Sequence, residues 1–158
     1  MDTFNDVYKL VEIDEFEKAK VILNENSRLA FNKDEYGFNL LHAAVMTENT
    51  ELVKYLVDLG VDVNSTNDEG ISPLHIVLYP EVAECLLEQG ALINLTTNDG
   101  NTPLHTQASD GEERIDIIKL LLKRGANSKI KNTFGKMALD IAKNRNEKII
   151  IEELLKND

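Results

Sequence analysis

The sequence predicts an all-α solenoid, built from helix–turn–helix units stacked along one axis. Residues 72–75 read SPLH, and residues 102–105, thirty positions later, read TPLH. Residues 39–42 (NLLH) fill the same slot one unit earlier, and a glycine stands two residues before each of the three segments. Apolar residues follow at helical spacing. Self-similarity at a period of about 33 residues indicates one supersecondary unit repeated along the chain.

Residues 34–66 show the complete unit. Apolar side chains between Leu40 and Ala44 recur at helical spacing and predict a first helix. A second helix is predicted over residues 50–59, and Gly60 stands just past it, where a C-terminal glycine is expected. The segment that follows leads outward into a turn.

These elements resemble the ankyrin repeat: a turn glycine, Thr/Ser-Pro-Leu-His, paired small residues, a leucine-rich second helix and a closing asparagine. The resemblance covers about residues 34–158. It implies repeats at 34–66, 67–96 and 97–131 and a C-terminal capping repeat at 132–158. Residues 1–33 hold two amphipathic segments and are predicted to form a helical N-terminal cap.

Two repeats depart from the regular length. The second has 30 residues between its glycines, and the shortening falls at residues 78–81. Tyr79 precedes Pro80 and is therefore biased away from helix, so the first helix of this repeat is predicted to end early and to leave an exposed step. The third repeat has 35 residues between glycines, with the extra length predicted at residues 109–114.

The charge is uneven as well as acidic. Of a formal net charge of −11, residues 1–33 carry −2, residues 34–66 and 67–96 carry −5 each, residues 97–131 carry +1 and residues 132–158 carry 0. Such a field repels nucleic acid and anionic lipid and attracts basic partners.

The compartment is predicted from three absences in the sequence. No apolar run approaches the roughly 18 residues that span a bilayer. The acidic residues 1–6 lack the basic region of a secretory signal. The single cysteine, Cys85, excludes an internal disulfide framework and favours a cytoplasmic protein.

No motif predicts catalysis, a metal or a cofactor. His42, His75 and His105 occupy one equivalent position in successive repeats, and the resemblance implies a structural role for them rather than metal ligation. Cys85 lies among apolar residues and is predicted to pack. The paired acids are read as solvated faces, because an open solenoid does not enclose two carboxyl groups. The chain is predicted not to be an enzyme.

The resemblance places partner contacts beside each turn glycine and at the end of each first helix. Carried over by position, these are Glu35, Tyr36, Phe38, Met46 and Thr47 in repeat one, Asp68, Glu69, Ile71 and Tyr79 in repeat two, Asn98, Asp99, Asn101, Ser109 and Asp110 in repeat three, and Thr133, Phe134, Lys136, Asn144 and Arg145 in repeat four. Large apolar side chains inside a charged rim are typical of protein interfaces. Tip packing with solubilising charge is the alternative.

The function predicted is a monomeric, non-enzymatic module whose acidic, aromatic-bearing concave face binds a basic partner protein. A narrower prediction is an inhibitor or immunity-type neutraliser of a basic effector such as a nuclease toxin. Two alternatives stay open. One is a scaffold that bridges two protein partners, with the basic segment 119–131 as its second surface, and the other is an enzyme of unrecognised type.

Overall fold

The computed structural model describes residues 3–156, and over this range it contains helices and turns with no strand. In chain order the elements are α1 (Phe4–Glu12), α2 (Phe16–Glu25), a 3₁₀-helix (Ser27–Phe31), α3 (Leu40–Ala44), α4 (Thr50–Asp58), α5 (Pro73–Ile76), α6 (Pro80–Glu88), α7 (Pro103–Asp110), a second 3₁₀-helix (Glu112–Arg114), α8 (Ile115–Lys123), α9 (Ala138–Arg145) and α10 (Lys148–Leu155). The predicted all-α solenoid is confirmed.

The helices form two layers. Helices α1, α3, α5, α7 and α9 pack in succession as the first layer, and α4, α6, α8 and α10 pack in succession as the second. Each repeat contributes one helix to each layer and contacts its neighbours along the stack. None of the helices in the described part of the chain has the length and apolarity needed to cross a membrane.

The core lies between the layers. Its largest fully buried side chains are Leu23, Leu40, Leu41, Leu52, Leu56, Leu74, Leu86, Leu104, Ile117, Ile118, Leu121 and Ile150. Full burial of one such side chain contributes about 1.5–3 kcal/mol relative to exposure. The leucine of each tetrapeptide therefore faces inward, which leaves the residues around the turn glycine and at the end of the first helix at the surface.

Helices α1 and α2 precede the first repeat. Thr3 caps α1, because its hydroxyl accepts from the Asp6 amide while the Asp6 carboxylate accepts from the Thr3 amide at 2.8 Å. Val7 and Val11 of α1 are fully buried where α1 packs against α3. The N-terminal helices thereby cover the apolar edge of the first repeat.

Helix α5 ends at Ile76, after four residues, and the predicted early end is confirmed. The prediction of an exposed step is wrong. Val77 is fully buried, and Leu78 and Tyr79 are half-buried in extended backbone. The Leu78 amide donates to the Val45 carbonyl of the preceding repeat at 3.3 Å. The neighbouring repeats close over the shortened segment, so its backbone groups find partners.

The extra length of repeat three lies at residues 109–114, as predicted. Helix α7 continues to Asp110, where α5 stops after one turn. Gly111 then turns the chain with φ +113°, and the 3₁₀-helix Glu112–Arg114 leads into α8. The longer α7 carries Ser109 and Asp110 along the first-helix layer.

Candidate protein-binding surface

Three histidines fix the turns of neighbouring repeats to one another. In His75, Nδ1 accepts from the Ser72 amide at 3.1 Å and lies 2.8 Å from the Ser72 hydroxyl. Nε2 therefore carries the proton, and it donates to the Asn101 carbonyl of the next repeat at 3.0 Å. His105 repeats the arrangement, with Thr102 at its Nδ1 and the Lys136 carbonyl 3.0 Å from its Nε2. The structural role predicted for these histidines is confirmed.

His42 differs from the other two rings at Nδ1. Its Nε2 lies 3.0 Å from the Ile71 carbonyl, and its Nδ1 accepts from the Asn39 amide at 3.3 Å. The side-chain atom beside Nδ1 is the Asn39 Oδ1 at 2.7 Å, where the other two rings have a hydroxyl. That oxygen accepts from the Leu41 and His42 amides, so it cannot be exchanged with the amide nitrogen. An amide oxygen cannot donate as a hydroxyl does. With the ring proton on Nε2, the Nδ1 lone pair accepts from the Asn39 N–H and also faces a lone pair of Asn39 Oδ1. A proton on Nδ1 would turn the contact with Oδ1 into a hydrogen bond and break the one from the Asn39 amide.

The turns are joined by a second, backbone ladder. The Asp68 amide donates to the Tyr36 carbonyl at 3.1 Å, and the Asn98 amide donates to the Glu69 carbonyl at 2.9 Å. The Thr133 amide continues the series to the Asp99 carbonyl at 2.9 Å. This register aligns one residue per repeat, immediately before the turn glycine. We call these four residues the tip row: Tyr36, Glu69, Asp99 and Phe134.

The tip row has an aromatic residue at each end and two acids between them. Tyr36 is 63% exposed and Phe134 is 69% exposed, and Glu69 and Asp99 are also exposed. Side chains this exposed contribute little to the core, so their faces are free to contact a partner.

An acidic groove of about 690 Å³ runs along the first-helix layer of repeats two to four. It is lined by Glu69, Ile71, Thr97, Asn98, Asp99, Asn101, His105, Thr106, Ser109, Asp110, Asn132 and Ile141. Seven of the predicted contact residues meet here: Glu69, Ile71, Asn98, Asp99, Asn101, Ser109 and Asp110. Three lining residues are carboxylates, and no lysine or arginine lines the groove.

The charge of the groove at Asp110 depends on opposing effects. Partial burial raises the pKa of the Asp110 carboxyl, and the Arg114 guanidinium opposes that rise, with Nε 3.8 Å from Asp110 Oδ2. The charge of Glu113 raises this pKa further, and the charge of Arg145 lowers it. The Asp110 side chain keeps 42% of its surface exposed, so water also supports the ionised form. Glu69 and Asp99 are exposed at the tips.

A second, apolar pocket of about 380 Å³ lies where the N-terminal helices meet repeats one and two. It is lined by Tyr8, Glu12, Phe38, His42, Ala43, Met46 and Ile76. Phe38 and Met46 were predicted as contact residues, whereas Tyr8 and Glu12 of α1 were not. The sequence did hold one indication of them: Tyr8 and Glu12 are four residues apart in a helix and therefore lie on the same face.

Ten of the nineteen predicted contact residues line neither depression: Glu35, Tyr36, Thr47, Asp68, Tyr79, Thr133, Phe134, Lys136, Asn144 and Arg145. Thr47 is buried, which contradicts its prediction as a contact residue. Glu35, Tyr36 and Asp68 project at the tips, where all three are exposed. Tyr79 is half-buried and packs against the core at the start of α6. Because Phe38 and Ile71 are also half-buried, the large apolar residues do not form one exposed cluster, which is where the structure departs from the prediction.

The remaining chemistry of the site is limited. Within residues 3–156 no three His, Cys, Asp or Glu side chains come together in a way that could hold a metal ion. Cys85 is buried, and this burial raises the pKa of its thiol, so the group is poorly suited to act as a thiolate. The packing role predicted for Cys85 agrees with this environment.

Comparison with known proteins supports the same architecture. The mouse ankyrin repeat and MYND domain-containing protein 1 is 43% identical over 53 residues, which is 34% of this chain and 6% of that protein. The human protein phosphatase 1 regulatory subunit 27 is 42% identical over 50 residues, which is 30% of this chain and 32% of that protein. The E3 ubiquitin-protein ligase KEG of Arabidopsis thaliana is 30% identical over 69 residues, 44% of this chain and 4% of that protein.

The chain spans about a third or less of the length of these relatives. The family model described as ankyrin repeats (3 copies) matches residues 10–96 and 77–158, which together are most of the chain. The repeated glycine and tetrapeptide, the two helical layers and the histidine bonds between turns are features of one architecture. This chain belongs to the ankyrin repeat family.

Proposed function

We propose that this chain is a protein-interaction module that binds a basic segment of a partner protein in the acidic groove. The carrying observation is that Glu69, Asp99 and Asp110 line one continuous depression with no lysine or arginine among its lining residues. Repeats one and two, beside it, each carry a net charge of −5. Membership of the family supports the general role of an interaction module, and the negative charge of the groove indicates a positively charged partner.

The tip row extends the proposed contact beyond the groove. Its two acids adjoin the groove, and its aromatic ends, Tyr36 and Phe134, offer faces to apolar groups or to cations. Charge accelerates association and selects partners, whereas desolvated aromatic contacts account for much of the affinity. Binding should therefore weaken with salt, because exposed charges are screened within about 10 Å at 0.1 M ionic strength.

The proposal is tested by reversing charge at the groove and, as a matched control, on the other layer. Glu69→Lys/Asp99→Lys changes the net charge by the same amount as Glu81→Lys/Glu88→Lys, whose exposed side chains lie on α6. Each protein is immobilised, incubated with lysate of the native source and analysed by mass spectrometry. Basic proteins retained by wild type and by the α6 control should be lost by the groove variant. Equal retention by the groove variant would place the site elsewhere.

The narrower form of the proposal is inhibition of a basic effector. A groove that covers a nucleic-acid-binding surface would suppress cleavage by a captured nuclease at one equivalent of chain. Retention of nuclease activity in a saturated complex would rule this form out.

The scaffold alternative rests on a separate observation. Lys119, Lys123, Lys129 and Lys131 are exposed on α8 and the segment after it, away from the residues that line the acidic groove. A bridging role predicts that two ligands bind the chain together, which sedimentation of the ternary mixture would detect.

A further inference from the structure

We propose that the apolar pocket is an anchor site for one aliphatic or aromatic side chain of the partner, carried beside a cationic group that pairs with Glu12. The inference rests on the proposed function, because the same basic partner would occupy the pocket and the acidic groove. It adds a specific chemical requirement: the partner must present an apolar group adjacent to a positive charge.

The walls of the pocket are apolar. Phe38 and Ala43 come from repeat one, Ile76 comes from repeat two, and Tyr8 comes from α1. Met46 is 44% exposed, and its unbranched thioether can adapt to different occupants. A depression of about 380 Å³ lies near the lower end of the range for pockets that enclose small ligands. Its size and chemistry suit one large side chain.

The charge at the rim is negative. Glu12 is the one carboxylate among the lining residues, and no lysine or arginine lines the pocket. The pKa of Tyr8 is raised, mainly by burial and further by the charges of Glu12 and Asp34, so a negative potential acts on this wall. His42 is held neutral by burial, which lowers its pKa. A cation beside an apolar group therefore complements the pocket, and a carboxylate does not.

One basic residue acts on the same region. The Lys33 ammonium is close enough to lower the pKa of His42, and Asp34 opposes it. Lys33 Nζ donates to the Thr66 carbonyl at 2.7 Å, which fixes the ammonium on the turn of the next repeat. The carboxylates of Glu12 and Asp34 outnumber this single charge, so the complementarity to a cation stands.

The test uses three probes with the same alkyl chain: n-hexylammonium, hexan-1-ol and hexanoate. Titration into ¹⁵N-labelled full-length chain should shift the amides of Ala43, Met46 and Ile76. Hexylammonium should bind at least about fivefold more tightly than hexanoate, the factor expected for one ion pair in water. Glu12→Gln should remove this preference, whereas Glu17→Gln, an exposed acid on α2, should retain it.

Two results would overturn the anchor site. One is the absence of shifts at the pocket amides, and the other is equal binding of hexylammonium and hexanoate by wild type. Met46→Lys, at an exposed position, gives a second variant that should block all three probes if Glu12→Gln perturbs the fold. The groove variant Glu69→Lys/Asp99→Lys should leave probe binding unchanged. Failure of the anchor site and failure of the acidic groove are therefore distinguishable.

Discussion

The side-chain amide of Gln107 donates to the backbone carbonyl of Val77 at 3.1 Å and to that of His75 at 3.0 Å. Gln107 is fully buried in α7 of repeat three, and both carbonyls belong to the shortened end of α5 in repeat two. A helix leaves its last carbonyls without internal donors, and a four-residue helix has few others. One side chain from the next repeat supplies these missing donors.

Gln107→Glu should destabilise the fold. The carboxylate is nearly the same shape but has no N–H to offer, so two buried carbonyls lose their donor and face a buried negative charge. The expected loss is at least about 1–3 kcal/mol in the free energy of unfolding. Chemical denaturation at pH 7 measures it. Gln89→Glu, the same change at a half-buried position after α6, is the control and should cost little. Equal losses would contradict the role of Gln107.

Stability should fall as the pH falls below about 7. Burial lowers the pKa of His75 and His105 in the folded chain below the ordinary value of 6.5. The unfolded chain therefore binds more protons between that value and the folded one, so this stability is complete above about pH 6.5 and is lost toward lower pH. Each ring contributes a slope of at most about 1.4 kcal/mol per pH unit. His75→Gln should show a shallower slope between pH 7 and 5 than wild type, and identical slopes would contradict the assignment.

Asn39→Ser should lower the pKa of His42. Burial lowers the pKa of His42 and the Lys33 ammonium lowers it further. We expect the 2.7 Å contact between His42 Nδ1 and Asn39 Oδ1 to oppose this, because a proton on Nδ1 can be donated to that oxygen. Long-range ¹H–¹⁵N spectra, recorded as the pH is lowered, resolve the three rings. In Asn39→Ser a hydroxyl that can donate to Nδ1 replaces the amide oxygen, so the pKa of His42 should fall while that of His105 stays unchanged. An unchanged pKa of His42 in the variant would refute this account.

Two glycines with similar backbone should tolerate alanine differently. Gly70 has φ +79°, and a Cβ there would lie 2.8 Å from the Asn98 amide nitrogen of the next turn. Gly90 has φ +92°, with open space around the added atom. Gly90→Ala should cost about 1–2 kcal/mol of backbone strain. Gly70→Ala should cost more, because Asn98 must move and its bond to Glu69 weakens. Urea denaturation midpoints compare the two, and equal losses would show that turn contact contributes nothing.

Local chemistry made much of the fold predictable. The spacing of glycines and tetrapeptides sets the stacking unit, and Tyr79 before Pro80 ends α5 early, because these effects act within a few residues. Gln107 gave no such signal. From the sequence alone, a glutamine in an amphipathic helix is predicted to be exposed. The packing of α7 against α5 instead buries Gln107 beside the Val77 carbonyl.

The candidate site was predictable only in part, for a related reason. Position within the repeat indicates Glu69, Asp99 and Asn101, since the turn glycine fixes where those residues project. Tyr8 and Glu12 lie outside the repeat motif, and their place in the apolar pocket follows from the way α1 packs on α3. Their contribution depends on tertiary packing, which no local pattern specifies.

The extended segment after α5 limits how far this array can be treated as modular. The Leu78 amide donates to the Val45 carbonyl of the preceding repeat. From the following repeat, Gln107 donates to the Val77 carbonyl and Arg114 donates to the Leu78 carbonyl at 3.5 Å. If repeat two were deleted, or moved alone into another array, these backbone and side-chain groups would lose their hydrogen-bond partners. An engineered protein that reuses this surface should therefore contain repeats one to three together, because a single repeat does not keep its hydrogen-bond partners.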